Sequence, residues 1–210
     1  MSKECAHHSK KRSKLTRRIY AGILIFLFLV LLTILLVWAI LQPTKPKFII
    51  QDATVYVFNV TGANFLSSSI QVTVSAHNPN DKIGIYYDRL DVFAVYRNQQ
   101  ITLRTVIQPT YQGHNDVNVW SPFVVGNAVP IAPYNGAALY QDQAVGTLLL
   151  SIKLDGRVRF KVGAFVSGRY HLNVDCPATI SFGNPAAGNG IIVGNNAVKY
   201  QLVQPCSVSV

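Results

Sequence analysis

Glutamate is almost missing from this 210-residue chain: Glu4 is the only one, and beyond residue 41 the acids are eight aspartates. These are scattered, several in turn-like contexts such as Asp81, Asp155 and Asp175, and no two form a spaced pair that marks a glycosidase. His77, His114 and His171 stand on separate segments, without the helical i, i+4 pairing or the cysteine and carboxylate company of a zinc site. The glycine-rich "GNPAAGNG" lacks the following Lys-Ser/Thr and helix of a phosphate loop. Internal repeats and low-complexity runs are absent as well. The sequence therefore offers no catalytic, metal-binding or cofactor-binding residues, and the expectation is a protein that is not an enzyme and carries no cofactor.

What is present begins with an apolar run. Ile19 to Leu41 reads "IYAGILIFLFLVLLTILLVWAIL", with no charge and only Tyr20 and Thr33 as polar interruptions. As a helix it is roughly 35 Å long, a little more than the ~30 Å apolar core of a bilayer. Lys3, Lys10, Lys11, Arg12, Lys14, Arg17 and Arg18 precede it, whereas only Lys45 and Lys47 follow closely. That asymmetry places the N-terminus in the cytosol and the remainder outside. A cleaved signal peptide is the competing reading, with Val37 and Ala39 as small residues before a cut; against it, the run far exceeds the ~7–15 residues of a signal core. The expected organisation is a basic tail over 1–18, a transmembrane helix over 19–41, a stalk over 42–47 and an outer domain over 48–210.

This division accounts for the basic balance. The chain carries a net +10, but beyond residue 41 there are 12 basic residues against 8 acids, a net of +4. Nucleic acid is therefore not expected as a partner. In the tail, Lys10, Lys11, Arg12, Lys14, Arg17 and Arg18 are candidates for anionic headgroups of the inner leaflet, or serve only to orient the span. Cys176 and Cys206 form one even pair in a compartment that permits disulfides and are expected to be bridged, while Cys5 lies in the reducing tail. Asn59-Val60-Thr61 is an acceptor sequon for a glycan.

The outer region has the periodicity of strands. "QVTVSAH" alternates apolar and polar residues, and "FIIQDATVYVFNV" and "GTLLLSIKL" are rich in β-branched residues. "KLDGRVRF" sets Asp155-Gly156 between two such runs and predicts a type I′ hairpin there. One short helix is expected over 132–144, in "APYNGAALYQDQA" after an Asn-Gly turn. The fold expected is an all-β sandwich of about seven strands and one short helix, of fibronectin III/immunoglobulin-like form, behind a single transmembrane helix.

"SAHNPNDKIGIYYDRLDV", residues 75–92, is the most distinctive stretch. Asn78, Pro79 and Asn80 make a turn. Ile83, Ile85 and Tyr87 then share one strand face, but from Leu90 the apolar set falls on even positions. Only an inserted residue lets a strand change phase, which predicts a bulge near Asp88-Arg89, with Asp88 accepting from freed backbone amides. Two loops are candidate contact surfaces. One is 118–136, where Trp120, Phe123 and Tyr134 form an exposed aromatic patch unless Trp120 caps the core; the other is 182–198, rich in glycine and asparagine.

"NPNDKIGIYYDRLDV", "YQGHNDVNVWSPF" and "GRVRFKVGAFVSGRYHLNVDCPATI", behind a basic tail and an anchor, resemble the plant NHL family. These membrane proteins are similar to the harpin-induced and non-race-specific disease resistance proteins and carry a type 2 late-embryogenesis-abundant domain. The family signatures fall on Asn78 to Asn80 and on Tyr86, Tyr87 and Asp88. The resemblance implies a seven-stranded sandwich outside the plasma membrane or its plasmodesmal channels. It also implies a link to defence and abiotic stress through protein partners, with no catalytic residues to carry over. Phe160 departs from the tryptophan many relatives have. An alternative function is a lipid-binding or membrane-protective sandwich. Neither the partner nor the oligomeric state is legible in the residues.

Overall fold

The computed structural model describes residues 4–41, 43–61, 64–181, 190–193 and 197–210, and within the first helix the side chains of 17–36. The chain forms two compact units, Met1–Pro43 and Thr44–Val210. The first holds helix α1, Glu4–Leu41. Helix thus extends back through the basic tail, and the segment Arg17–Leu36 is long and apolar enough to cross a membrane. Its apolar side chains from Ile19 to Leu36 are exposed. Arg17 and Arg18 are exposed; the side chains of Lys10, Lys11, Arg12 and Lys14 lie outside the described residues.

The second unit is two antiparallel sheets packed face to face. The first sheet runs through β12 (Gly190–Val193), β13 (Ala197–Pro205), β1 (Lys47–Thr61) and β2 (Phe65–His77). Beyond β2 it is continued by β7 (Val117–Trp120) and β8 (Phe123–Pro130). The second sheet runs through β14 (Ser207–Ser209), β11 (Tyr170–Ser181), β9 (Thr147–Val162) and β3 (Ile83–Tyr96). Short β4 (Gln99–Gln100), β5 (Thr105–Ile107) and β6 (Thr110–Gln112) pair with β3, and β10 (Phe165–Val166) pairs with β9. Seven of these strands have eight residues or more.

Alternation decides what lies between the sheets. Ile70, Val72, Val74 and Ala76 of β2 and Leu148, Leu150, Ile152 and Leu154 of β9 are buried and belong to one continuous core. At about 25 cal/mol per Å² of apolar surface this interdigitated layer is the main stabilising term. Cys176, fully buried on β11, is bonded to Cys206, which separates β13 in the first sheet from β14 in the second. Helix α2, Pro133–Val145, begins with Pro at its first position and ends at Gly146 with φ 84°. Asn135 and Gly136 lie buried inside this helix, not in a preceding turn. A methyl group on Gly136 would come 2.6 Å from Asn64 Oδ1, so glycine is what lets the helix approach.

Two further sequence expectations need correction. Residues 155–156 are not a hairpin: β9 runs unbroken through them and pairs with β11 from Thr147 to Val158. Gly156 serves close approach, because a Cβ there would sit 2.0 Å from the Arg89 carbonyl oxygen. The reversal comes later, after Val162, where Gly163 has φ 56°. The 182–198 segment is not loop throughout, since 190–193 form β12; residues 182–189 and 194–196 lie outside the described residues.

Candidate functional site

The bulge expected near Asp88 is present: the β3–β9 register shifts between Tyr87 and Arg89. Tyr87 and Leu90 are buried on either side, while Asp88 is half-buried and Arg89 exposed, so two consecutive residues face outward. Gly156, opposite Leu90, leaves room for the displaced Arg89 carbonyl. The extra residue brings the side chains upstream and downstream of it onto one outer face.

That face is built from three strands. Alternation along β9 turns Lys153, Asp155, Arg157, Arg159 and Lys161 outward, between buried Leu154 and Val158. Arg159 grips Asp88 through Nη2 at 2.6 Å and Nε at 2.9 and 3.0 Å, and Arg169 donates to the same carboxylate at 3.1 Å. Asp88 therefore accepts from guanidinium groups, where backbone amides were expected, because the bulge delivers it between two arginines. The Arg159 hydrogen bonds, followed by those of Arg169, hold the Asp88 carboxyl below the usual carboxylate range despite the opposing effect of burial.

Depressed pKa values translate into acid sensitivity. The stabilising charge on Asp88 is present above the unfolded-state pKa and lost as pH falls through the lower folded one. Asp88→Asn removes that contribution, so the difference in stability between variant and parent should shrink as pH falls below about 4. Urea titrations of both proteins at about pH 7 and about pH 3 check this; a constant difference would remove Asp88 from the acid response.

Next to this pair, Arg89, Arg157 and His171 are direct cross-strand neighbours on β3, β9 and β11. Arg89 also bonds Asp91 at 2.9 Å, and Asp155 bridges Arg104 at 3.0 Å and His171 at 3.4 Å. Between these groups opens a shallow cleft of about 480 Å³. On the other side of Asp88, the Tyr86 and Tyr111 rings lie 4.5 Å apart. Lys161 Nζ sits over both rings, at 6.0 and 5.4 Å from their centroids, and the Arg159 guanidinium lies 5.4 Å from that of Tyr86.

The tyrosines of the signature thus divide the labour. Tyr86 faces outward. Tyr87 is buried against Phe48 and Trp120, its hydroxyl donates to Gln112 Oε1 at 2.8 Å, and burial raises its pKa. Asn78 and Asn80 are also buried. Asn78 donates to the carbonyls of Ile83 and Gly113, both at 2.7 Å, and accepts from the side-chain and backbone N–H groups of Asn80 at 2.8 and 3.2 Å. Asn80 in turn binds Thr44 through its backbone N–H, hydroxyl and carbonyl. Pro79 holds the bend between them.

The 118–136 aromatics do not form one patch. Trp120 is half-buried, stacked 6.4 Å from Phe48 and edge-on to Tyr87 at 5.4 Å, which makes it a cap on the core. Phe123 is 46% exposed and touches Tyr56, with ring centroids 5.5 Å apart. Phe123 pairs opposite Gln71, and Pro130, close before Tyr134, pairs opposite Phe65. The six residue steps of β2 from Phe65 to Gln71 correspond to about 20 Å. Asn59 is exposed on β1 opposite Ser67.

Comparison with known proteins covers this region and the chain at large. The late embryogenesis abundant protein family (LEA_2) matches residues 73–176, which contain the asparagine turn, the bulge and the arginine strand. NDR1/HIN1-like protein 1 of Arabidopsis thaliana is 62% identical over 210 residues, covering 99% of this chain and 100% of that protein. The chain belongs to the NDR1/HIN1-like family. NDR1/HIN1-like protein 12 of the same plant is 56% identical, covering 100% of this chain and 99% of the relative. NDR1/HIN1-like protein 26 is 42% identical over 155 residues, 73% of each chain.

The sequence pattern does not single out Arg157, Arg159, Lys161, Arg169 or Tyr111, and it offers His171 only as an isolated histidine. A signal for part of the set was available: in "GRVRFKV" the basic residues sit at every second position, and a strand turns such positions to one face. Placing a hairpin at Asp155-Gly156 hid that continuity.

Proposed function

We propose that this chain is a membrane-anchored protein of plant defence and stress responses that works by contact and not by catalysis. In this reading the N-terminus is cytosolic, the helix spans the plasma membrane, plasmodesmal channels included, and the sandwich stands outside. The observation that carries it is the joining of one candidate span, with seven Lys and Arg within residues 1–18, to a β-sandwich unit whose outward side chains build a charged and aromatic face. Lys10, Lys11, Arg12, Lys14, Arg17 and Arg18 then meet inner-leaflet headgroups, Asn59 carries a glycan, and a protein partner is recruited by the sandwich. The contiguous buried core between the sheets, from Phe48 to Tyr200, favours contact over a lipid-carrying interior.

Proximity labelling in infected plant tissue tests the reading. The full chain should mark an extracellular set of neighbours that a version limited to residues 1–47 does not. Identical sets would mean that the sandwich does not select the partners.

A further inference from the structure

The geometry points to the outer face around Asp88 as a binding site for an acidic polysaccharide, a sugar chain carrying carboxylates. Three observations lead there. First, Arg89, Arg157 and His171 stand directly opposite one another across three adjacent strands, each about 4.8 Å from the next. Arg89 and Arg157 are like charges in opposed positions, which destabilise a sheet unless an anion lies between them. The side chain of Arg157, in the middle, is exposed and makes no hydrogen bond or ion pair among the described residues.

Second, the neighbouring carboxylates are already occupied. Asp88 is held by Arg159 and Arg169, Asp91 by Arg89, and Asp155 by Arg104. They orient the guanidinium groups of Arg89, Arg104, Arg159 and Arg169; the cleft itself is lined by three arginines and three aspartates, and Arg104, Arg159 and Lys161 beside it make the wider face net positive. A guanidinium presents a planar fork suited to a carboxylate, and Arg89, Arg157 and Arg169 line the cleft.

Third, the charge is flanked by an aromatic surface. Tyr111 is 42% exposed and packs on Tyr86, with Lys161 above both rings. Gly84 is what allows this, since a Cβ there would come 2.3 Å from the Tyr111 hydroxyl. A sugar ring has an apolar C–H face that lies well on tyrosine, and a uronic acid adds the carboxylate for the adjacent arginines. An acidic peptide would satisfy the charges but leave the tyrosines without a matching surface. The inference rests on the proposed location of the sandwich outside the membrane, where such polymers are met.

The test uses the full chain in lipid nanodiscs and an unesterified galacturonate oligomer, with binding followed by calorimetry. Binding should weaken with added salt. It should fall about tenfold in Arg157→Gln, as for loss of one charged contact. It should also fall in Tyr111→Ala, and stay unchanged in Lys199→Gln, which removes an equal charge from the other sheet. The methyl-esterified oligomer should not bind. No binding by the parent, equal binding of the esterified oligomer, equal binding of polyglutamate, or equal loss in Lys199→Gln would each overturn the assignment. Thermal unfolding of each variant shows whether it is folded, and His171→Gln offers a second probe of the row should Arg157→Gln not fold. Protease protection of the chain in sealed plant vesicles addresses location separately. A sandwich on the cytosolic side would overturn both readings; failed binding by an outward-facing sandwich overturns only this one.

Discussion

Asn78→Ala is expected to lower the unfolding free energy by about 3 kcal/mol, enough to threaten a domain of ordinary stability. Asn78 is fully buried, and its side chain makes four hydrogen bonds that join three separate segments. Truncation leaves the carbonyls of Ile83 and Gly113 and two N–H groups of Asn80 without their partner in a largely buried site. Each such orphan costs about 1–3 kcal/mol, and relaxation recovers some of it. The damage should spread to Thr44, which Asn80 holds next to the start of β1. Urea unfolding of the detergent-solubilised chain, followed by tryptophan fluorescence, measures the loss as a lower midpoint at constant slope. A fall of less than about 1 kcal/mol would mean that the turn tolerates open carbonyls and is not the hub described.

Cys206→Ser should cost about 3–4 kcal/mol, the loop-closure term for a 30-residue separation. The position adds to the effect. Cys206 is the one residue between β13 and β14, which lie in opposite sheets, and its backbone N–H donates to the Phe48 carbonyl at 2.9 Å. Without the bridge, β14 is held to β11 by only three residue pairs. Reductant should destabilise the parent by the same amount and leave Cys206→Ser unchanged. Equal stability of the reduced and oxidised parent would show that strand pairing alone secures the crossing.

Much of this architecture could be read from alternation. The shift from odd to even apolar positions across Asp88 predicts the bulge because phase is a local property of a strand, and the run from Ile19 to Leu41 predicts its helix by length and composition. Helix α2, expected over 132–144, lies at 133–145 because proline and glycine mark its ends. What escaped depends on chain segments far apart. Gly156 is a turn residue by local statistics, but Arg89 arrives from another strand to claim the space beside it. The Asn-Pro-Asn turn is recognisable, yet its burial is not, since its partners lie 35 and 36 residues away at Gly113 and Thr44. Arg159 and Arg169 are likewise 71 and 81 residues from Asp88. A charged site of this kind exists only after the strands have been placed side by side.

The first sheet puts β1 between β2 and β13, so an early strand of the domain is flanked by one of the last. In the growing chain β2 emerges soon after β1, but β13 follows only after the segment from Thr61 to Ala197 has been made. At ~5–20 residues per second that interval is on the order of ten seconds. During all of it one long edge of β1 remains unpaired and able to join a wrong strand. The first sheet is thus completed late in synthesis, and that edge of β1 has to be shielded until β13 arrives.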